Sequence, residues 1–250
     1  MSLIAPILLL AAAVGGWEAL ARLGGIENYL LPAPSEVVSA LVNDWDLLGH
    51  DTWVTGQEVV LGFAIAFAVA FLIAVALHLS PVLRRAVYPL VIASQANPIV
   101  VIAPILVIWF GFGIAPKLIV IALICFFPIV VNTIDGLRSV DEDQVKMLRT
   151  LDGSRLQVFR YLELPSSLPY LFSGAKIAVA VAVIGAVFGE LVGSDAGLGH
   201  AIQVGTAELL TARVFAAVLI LSVMAVALFG LVAALERWAI PWAKLSERRS

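Results

Sequence analysis

The chain has 250 residues, of which 62% are hydrophobic and 13% charged, with a mean hydropathy of +1.04. A soluble domain carries about 25% charged residues, so an ordinary soluble fold is excluded. The net charge of −3 decides little, because in a membrane protein the placement of charge matters more than its sum.

Several apolar runs of roughly 20 residues imply an all-α polytopic membrane protein. The runs are solid rather than alternating, which excludes a transmembrane β-barrel. The single cysteine, Cys125, lies inside an apolar run, so no internal disulfide is possible. No Cys/His spacing suits a metal. No linker or low-complexity tract divides the chain, so residues 1–250 read as one transmembrane domain.

The first apolar run covers residues 3–20. Met1-Ser2 lacks the basic start of a secretory signal, so the run reads as a retained helix, with a cleaved signal as the alternative. Glu18 suits a helix end at the water interface. Residues 24–57 are polar and turn-rich, with Leu31-Pro32-Ala33-Pro34-Ser35 and a short amphipathic pattern after it. Ser35 is expected to cap that helix and Val38 and Leu41 to face inward.

The second span is expected at 58–79, closed by Ser80-Pro81. A third covers 86–110 and is broken at Ser94-Gln95-Ala96-Asn97-Pro98, since Pro98 removes a backbone donor. Polar groups at that depth face protein or a water-filled path. A kink satisfied by a neighbouring helix and a pathway lining both fit. The fourth span is expected at 118–137, with Pro128 and Asn132 inside it, the fifth at 170–192 and the sixth at 214–238. Glu190 lies near the end of the fifth, before the loop Gly193–His200. It reads either as a pathway residue or as a structural hydrogen-bond centre. Trp109, Phe110 and Phe112 read as belt, core packing or an aromatic gate. Trp238 and Trp242 suit an interfacial belt. His200 reads as a surface residue.

Between the fourth and fifth spans lies a polar loop, 138–169. Ser139 and Glu142 have capping-box spacing, so a helix is expected to start there. Val145, Leu148 and Leu151 fall on one face, with Met147 beside them. Asp152-Gly153 stops this helix through the left-handed freedom of Gly. A second helix over Ser154–Leu164 places Leu156, Phe159 and Leu162 on one side and Arg155, Arg160 and Glu163 outward. Pro165 and Pro169 are expected to end it. Such a hairpin fits either an elbow lying on lipid or a knob inserted into a soluble partner.

Placing this loop in the cytoplasm puts Arg84, Arg85, Arg138, Lys146, Arg149, Arg155, Arg160, Lys176, Arg237, Lys244, Arg248 and Arg249 inside. Only Arg22, Lys117 and Arg213 stay outside. This bias puts both termini in the cytoplasm and requires an even number of spans, six being the simplest.

The run Thr150-Leu151-Asp152-Gly153-Ser154-Arg155, with Val158-Phe159, Leu164-Pro165, Leu168-Pro169 and Gly174, resembles the "EAA" loop of binding-protein-dependent ABC importer permeases. Leu31-Pro32-Ala33-Pro34, Trp109-Phe110-Gly111-Phe112-Gly113, Phe127-Pro128, Gly136-Leu137-Arg138 and Gly197-Leu198-Gly199 resemble the branch serving nitrate, sulfonates, taurine and thiamine-pyrimidine precursors. The resemblance spans nearly the whole chain. It implies a type I importer (MetI-like) permease fold with a cytoplasmic coupling helix, in the inner membrane of a bacterial cell. It also implies a second permease copy, two ABC ATPase subunits that bind ATP and Mg, and an extracytoplasmic solute-binding protein.

Asp141, Val145, Lys146, Met147, Leu148, Arg149, Thr150, Leu151, Asp152, Gly153, Ser154 and Arg155 would then contact the ATPase. The family's Glu-Ala-Ala is Lys146-Met147-Leu148 here, and its loop glycine is Asp152. These departures imply an ATPase with compensating changes. Ser94, Gln95, Asn97, Asn132 and Glu190 are the candidate pathway residues. The chain itself needs no cofactor, catalytic residue or metal: it has no phosphate-binding G-x-x-x-x-G-K-[ST], and nothing points to nucleic acid. The stretch Cys125–Asn132 with Asp135-Gly136 resembles pyrimidine-precursor and vitamin permeases, and no basic residue is placed mid-membrane to hold an anion. Both features lean toward a neutral heteroaromatic solute, with nitrate, taurine and aliphatic sulfonates as alternatives. An ion-coupled secondary transporter would need coupling acids or paired broken helices; only one broken span is visible.

Overall fold

The computed structural model describes residues 4–95 and 98–242. Every element among them is helical. Among the described residues five helices are long and apolar enough to cross a membrane: α1 (Ile4–Leu23), α3 (Trp45–Leu79), α6 (Ile114–Leu137), α9 (Leu164–Gly193) and α11 (Thr211–Ala239). Shorter helices join them: α2 (Pro34–Asn43), α4 (Pro81–Ser94), α5 (Ile99–Phe110), α7 (Glu142–Thr150), α8 (Arg155–Val158) and α10 (Leu198–Ala207).

The expected third span is therefore two helices, α4 and α5, separated at Gln95–Pro98. Together they carry the chain from the end of α3 back to the opposite end of the molecule, where α6 begins. Asn97 lies outside the described residues. The second span is longer than expected. Trp45–Gln57 continues α3 without a break instead of forming a loop, because no Pro interrupts it.

The core is built on α6 and α9, with α3 against both. The buried positions along α9 include Gly174, Ala175, Ala178, Ala182, Gly185, Ala186 and Gly189. These small residues follow helical spacing, and α3 presents Ala66, Ala70 and Ala74 in the same way. In lipid, packing rather than water release holds helices together, and small side chains let backbones approach closely. At Gly174 the approach is extreme: an added Cβ would sit 2.6 Å from the Pro128 carbonyl oxygen and 2.9 Å from Cβ of Asn132. The close fit continues at Gly136, where it would meet Tyr170 at 2.7 Å.

Three local expectations change. Ser35 does not cap α2; Ala33 stands at the N-cap and Glu36 accepts its N–H at 3.0 Å. Ser35 lies inside the helix, where Glu18 accepts its N–H at 3.0 Å and its hydroxyl at 2.8 Å. Pro at the first helical position fixes this earlier start. Consequently Val37, not Val38, is the buried residue of α2.

Pro165 and Pro169 do not end the hairpin's second helix. The helix runs from Arg155 to Gly193 as α8, a π turn at Phe159–Glu163, and α9. In the π turn the Leu164 N–H bonds the Phe159 carbonyl, five residues back. Pro165 needs no N–H partner in the first turn of α9, where the chain leaves that π turn.

Candidate functional site

Two polar regions stand at opposite ends of the helix core. The first is the hairpin. Its α7 starts at Glu142, two residues later than a Ser139 capping box would set. Asp141 is the N-cap and accepts the Asp143 N–H at 2.8 Å, while the Ser139 hydroxyl turns back to the Gly136 carbonyl at 2.8 Å. Asp wins because its carboxylate reaches the free N–H groups of the first turn and meets the helix dipole favourably.

At the other end of α7, the Gly153 N–H bonds the Leu148 carbonyl and the Asp152 N–H bonds the Arg149 carbonyl, both at 3.0 Å. This is a Schellman turn. Its left-handed residue is Asp152, with φ 62°, not Gly153. Gly153 is required for another reason: a Cβ there would lie 2.6 Å from the Leu148 carbonyl oxygen. Ser154 and Gln157 then form a reciprocal capping box on α8. The backbone of the tip is thus capped on both sides of the turn.

Its side chains are open. No residue of α7 is buried. Val145 and Leu148 are half-buried, while Met147, Leu151 and Leu156 are 64%, 73% and 72% exposed. Leu151 therefore does not share the inner face of Val145 and Leu148, because it stands at the C-cap. Lys146 points outward and bonds Asp143 at 3.1 Å. Arg149, Thr150 and Arg155 are exposed as well. Glu163 reverses its expected direction: it is half-buried and lies 2.8 Å from His78.

The second region gathers residues that the sequence reading scattered over loops and span ends. Glu190 is fully buried. Its carboxylate accepts the Thr55 hydroxyl at 2.7 Å and the Gly199 N–H at 2.5 Å. Thr55 in turn accepts the Leu198 N–H at 2.9 Å, and Asp51 accepts the Gly197 N–H at 2.9 Å. The N–H groups of Gly197, Leu198 and Gly199 at the start of α10 are held this way, by side chains of α3 and α9. Lys117 bonds Glu58 and Ser194, both at 2.6 Å. Gly197, at φ 113°, leaves no room for a side chain against the Glu190 carboxylate.

Buried charges persist only when paired and hydrogen-bonded. In this knot Lys117 is paired with Glu58 and bonded to Ser194, and Glu190 is held by hydrogen bonds alone; Oε2 of Glu58 is buried without a partner among the described residues. Each oxygen of Glu190 accepts one of these hydrogen bonds, from Thr55 and from Gly199. Asp51, Thr55, Glu58 and Lys117 were not singled out from the sequence. The available signal was opposite charge at span ends on one side: Glu58 begins an apolar run and Lys117 begins another.

Of the other predicted pathway residues, Ser94, Gln95 and Asn132 are not brought together with it. Ser94 and Gln95 are exposed at the break between α4 and α5, where the Ser94 hydroxyl bonds the Val91 carbonyl at 2.7 Å. Asn132 is half-buried, donating to the Pro128 carbonyl at 2.7 Å beside Gly174. Trp109, Phe110 and Phe112 are 74%, 56% and 79% exposed, so they pack into no core of this chain. His200 is half-buried in α10 rather than on the surface. A cleft of about 420 Å³ lies near the knot end, lined by Tyr29, Glu36, Asp44, Leu209 and Arg213 among others, and holds none of the predicted residues.

The description "binding-protein-dependent transport system inner membrane component" belongs to a family whose model matches residues 58–240. The chain belongs to this family. This permease is 36% identical over 227 residues to a probable ABC transporter permease of Haemophilus influenzae, covering 91% of this chain and 93% of the relative. It is 36% identical over 229 residues to the formylaminopyrimidine transport permease ThiX of Halalkalibacterium halodurans, covering 91% of each. The riboflavin transport permease RibX of Chloroflexus aurantiacus is 34% identical over 231 residues, covering 90% of this chain and 85% of the relative. Relatives at 28% and 29% identity are named for aliphatic sulfonate and taurine transport.

A subunit of the methionine transporter MetNI in an inward-facing form shares the permease's fold, with a TM-score of 0.67 at 18% identity. The match covers 78% of this chain and 97% of that one. The permease is thus a multi-pass membrane subunit of an ABC importer with the type I, MetI-like architecture.

Proposed function

We propose that two copies of this permease enclose a solute pathway and that each hairpin seats in a groove of a cytoplasmic ABC ATPase subunit. ATP and Mg belong to those partners. The hairpin end then faces the cytoplasm, with both chain termini. The knot end faces outward, where a solute-binding protein delivers the cargo. Closure of the ATPase pair moves the hairpins, and the permease responds because its contacts differ between the two ATPase states.

The observation that carries this reading is the tip itself: a tightly capped backbone that exposes Met147, Leu151 and Leu156. A capped apolar knob of this kind fits a helix-in-groove mode of binding. The test is co-purification of the permease with its ATPase from membranes. Leu151→Asp should lower recovery of the ATPase at least tenfold. Equal recovery would overturn the reading.

For the cargo we infer a small neutral heteroaromatic of the formylaminopyrimidine type, passing near Ser94, Gln95 and Asn97 at the broken span. The relative ThiX supports this, as does the state of the lysines inside the long helices. Lys117 is bound to Glu58 at 2.6 Å and Lys176 to Glu236 at 2.7 Å. Neither is free to hold nitrate, taurine or a sulfonate. Uptake of labelled formylaminopyrimidine, with riboflavin and taurine as competitors, checks the assignment. Uptake of taurine instead would reverse it.

A further inference from the structure

The hairpin's second limb is the foot of α9, because α8, the π turn and α9 form one continuous helix. Beside that foot stands the last turn of α3. The two meet through His78. Its Nε2 lies 2.8 Å from Oε2 of Glu163, the last residue of the π turn. Its ring faces Phe159, the first residue of the π turn, with centroids 6.4 Å apart. The side chains of His78 and Glu163 are only 10% and 18% exposed. Nδ1 of His78 is buried without a partner among the described residues. The proton therefore belongs on Nε2, which donates to the carboxylate. Among the described residues this is the only hydrogen bond between α3 and the segment 138–163.

A π turn costs hydrogen-bond geometry and is found most often where a helix has a task to perform. Here both its ends touch one histidine of another long helix. We propose that His78 and Glu163 are positioning residues that form a closed joint, through which displacement of the hairpin is passed to α3 as well as to α9. The foot of α3, the π turn and the hairpin then travel as one body. The knot at the far end of α3 keeps the same helices registered there. This rests on the hairpin being the ATPase contact.

The experiment uses the whole complex of permease and ATPase in lipid vesicles, with ATP hydrolysis measured with and without the solute-binding protein. His78→Ala should leave ATPase recovery and basal hydrolysis within twofold of the unaltered complex, while stimulation by the binding protein falls at least fivefold. His78→Gln, which restores a side-chain N–H, should recover at least half of the stimulation. Unchanged stimulation in His78→Ala overturns the joint.

Should His78→Ala not assemble, the pair His78→Cys/Glu163→Cys decides. Stimulation should be low as prepared and return when the two thiols are bridged by a short bifunctional reagent. Arrest on bridging, or full stimulation without it, would show that the contact opens or is idle, and would overturn the proposal. Failure of the underlying hairpin reading is seen separately, as unchanged ATPase recovery in Leu151→Asp.

Discussion

The knot and the hairpin use the same residue types to opposite ends. At the knot, Asp51, Glu58, Lys117 and Glu190 are each at most 6% exposed, and glycines bring backbone N–H groups onto the carboxylates. At the hairpin, charged residues point into solvent and Met147, Leu151 and Leu156 lie open beside them. Where the chain buries charge, its own side chains and backbone N–H groups supply the partners found among the described residues. Where it leaves large apolar side chains exposed on a capped tip, the proposed ATPase would supply the missing contacts.

Breaking the knot should give the largest effects. Lys117→Ala leaves the Glu58 carboxylate buried and unpaired, at a cost of about 3–5 kcal/mol. Thermal unfolding of the detergent-solubilised permease should show it as a large drop in midpoint. Equal midpoints would mean that the ion pair contributes little. Gly197→Ala comes next. It places a Cβ against the Glu190 carboxylate at a backbone angle that side chains rarely adopt, and should cost about 2–3 kcal/mol by the same assay.

The hairpin should behave in the opposite way. Leu151→Asp should change the permease's own unfolding by no more than about 0.5 kcal/mol, because the residue is already in solvent. A tenfold loss of ATPase affinity, about 1.4 kcal/mol, should appear only in the assembled complex. If the midpoint falls as far as in Lys117→Ala, the tip is packed within the chain and the contrast fails. The smallest effect sharpens the comparison. Asp152→Gly relieves a left-handed residue in the Schellman turn and should stabilise the hairpin by about 0.5 kcal/mol. Slower hydrogen exchange at the amides of positions 152 and 153 would reveal it.

The elements legible in the sequence are those with a local cause. Hydropathy marked the long helices, because lipid demands a continuous apolar run. Pro98 marked the break between α4 and α5, and the Asp152-Gly153 pair marked the end of α7. The misreadings were also local contests between close neighbours: Asp141 over Ser139 as a cap, Asp152 over Gly153 in the left-handed position, and Pro165 admitted to a helix by the π turn before it.

What the amino-acid order determined alone was the class of molecule, its helices and a capped hairpin between two of them, since each depends on residues within a turn or two. Tertiary structure alone decided which charges are buried and what they hold. Lys117 finds Glu58 across 59 residues, His78 finds Glu163 across 85, and the Gly197 N–H finds Asp51 across 146. No periodicity or cap signals such a partner, because the energy of a buried ion depends on what the rest of the fold places within hydrogen-bonding distance of it.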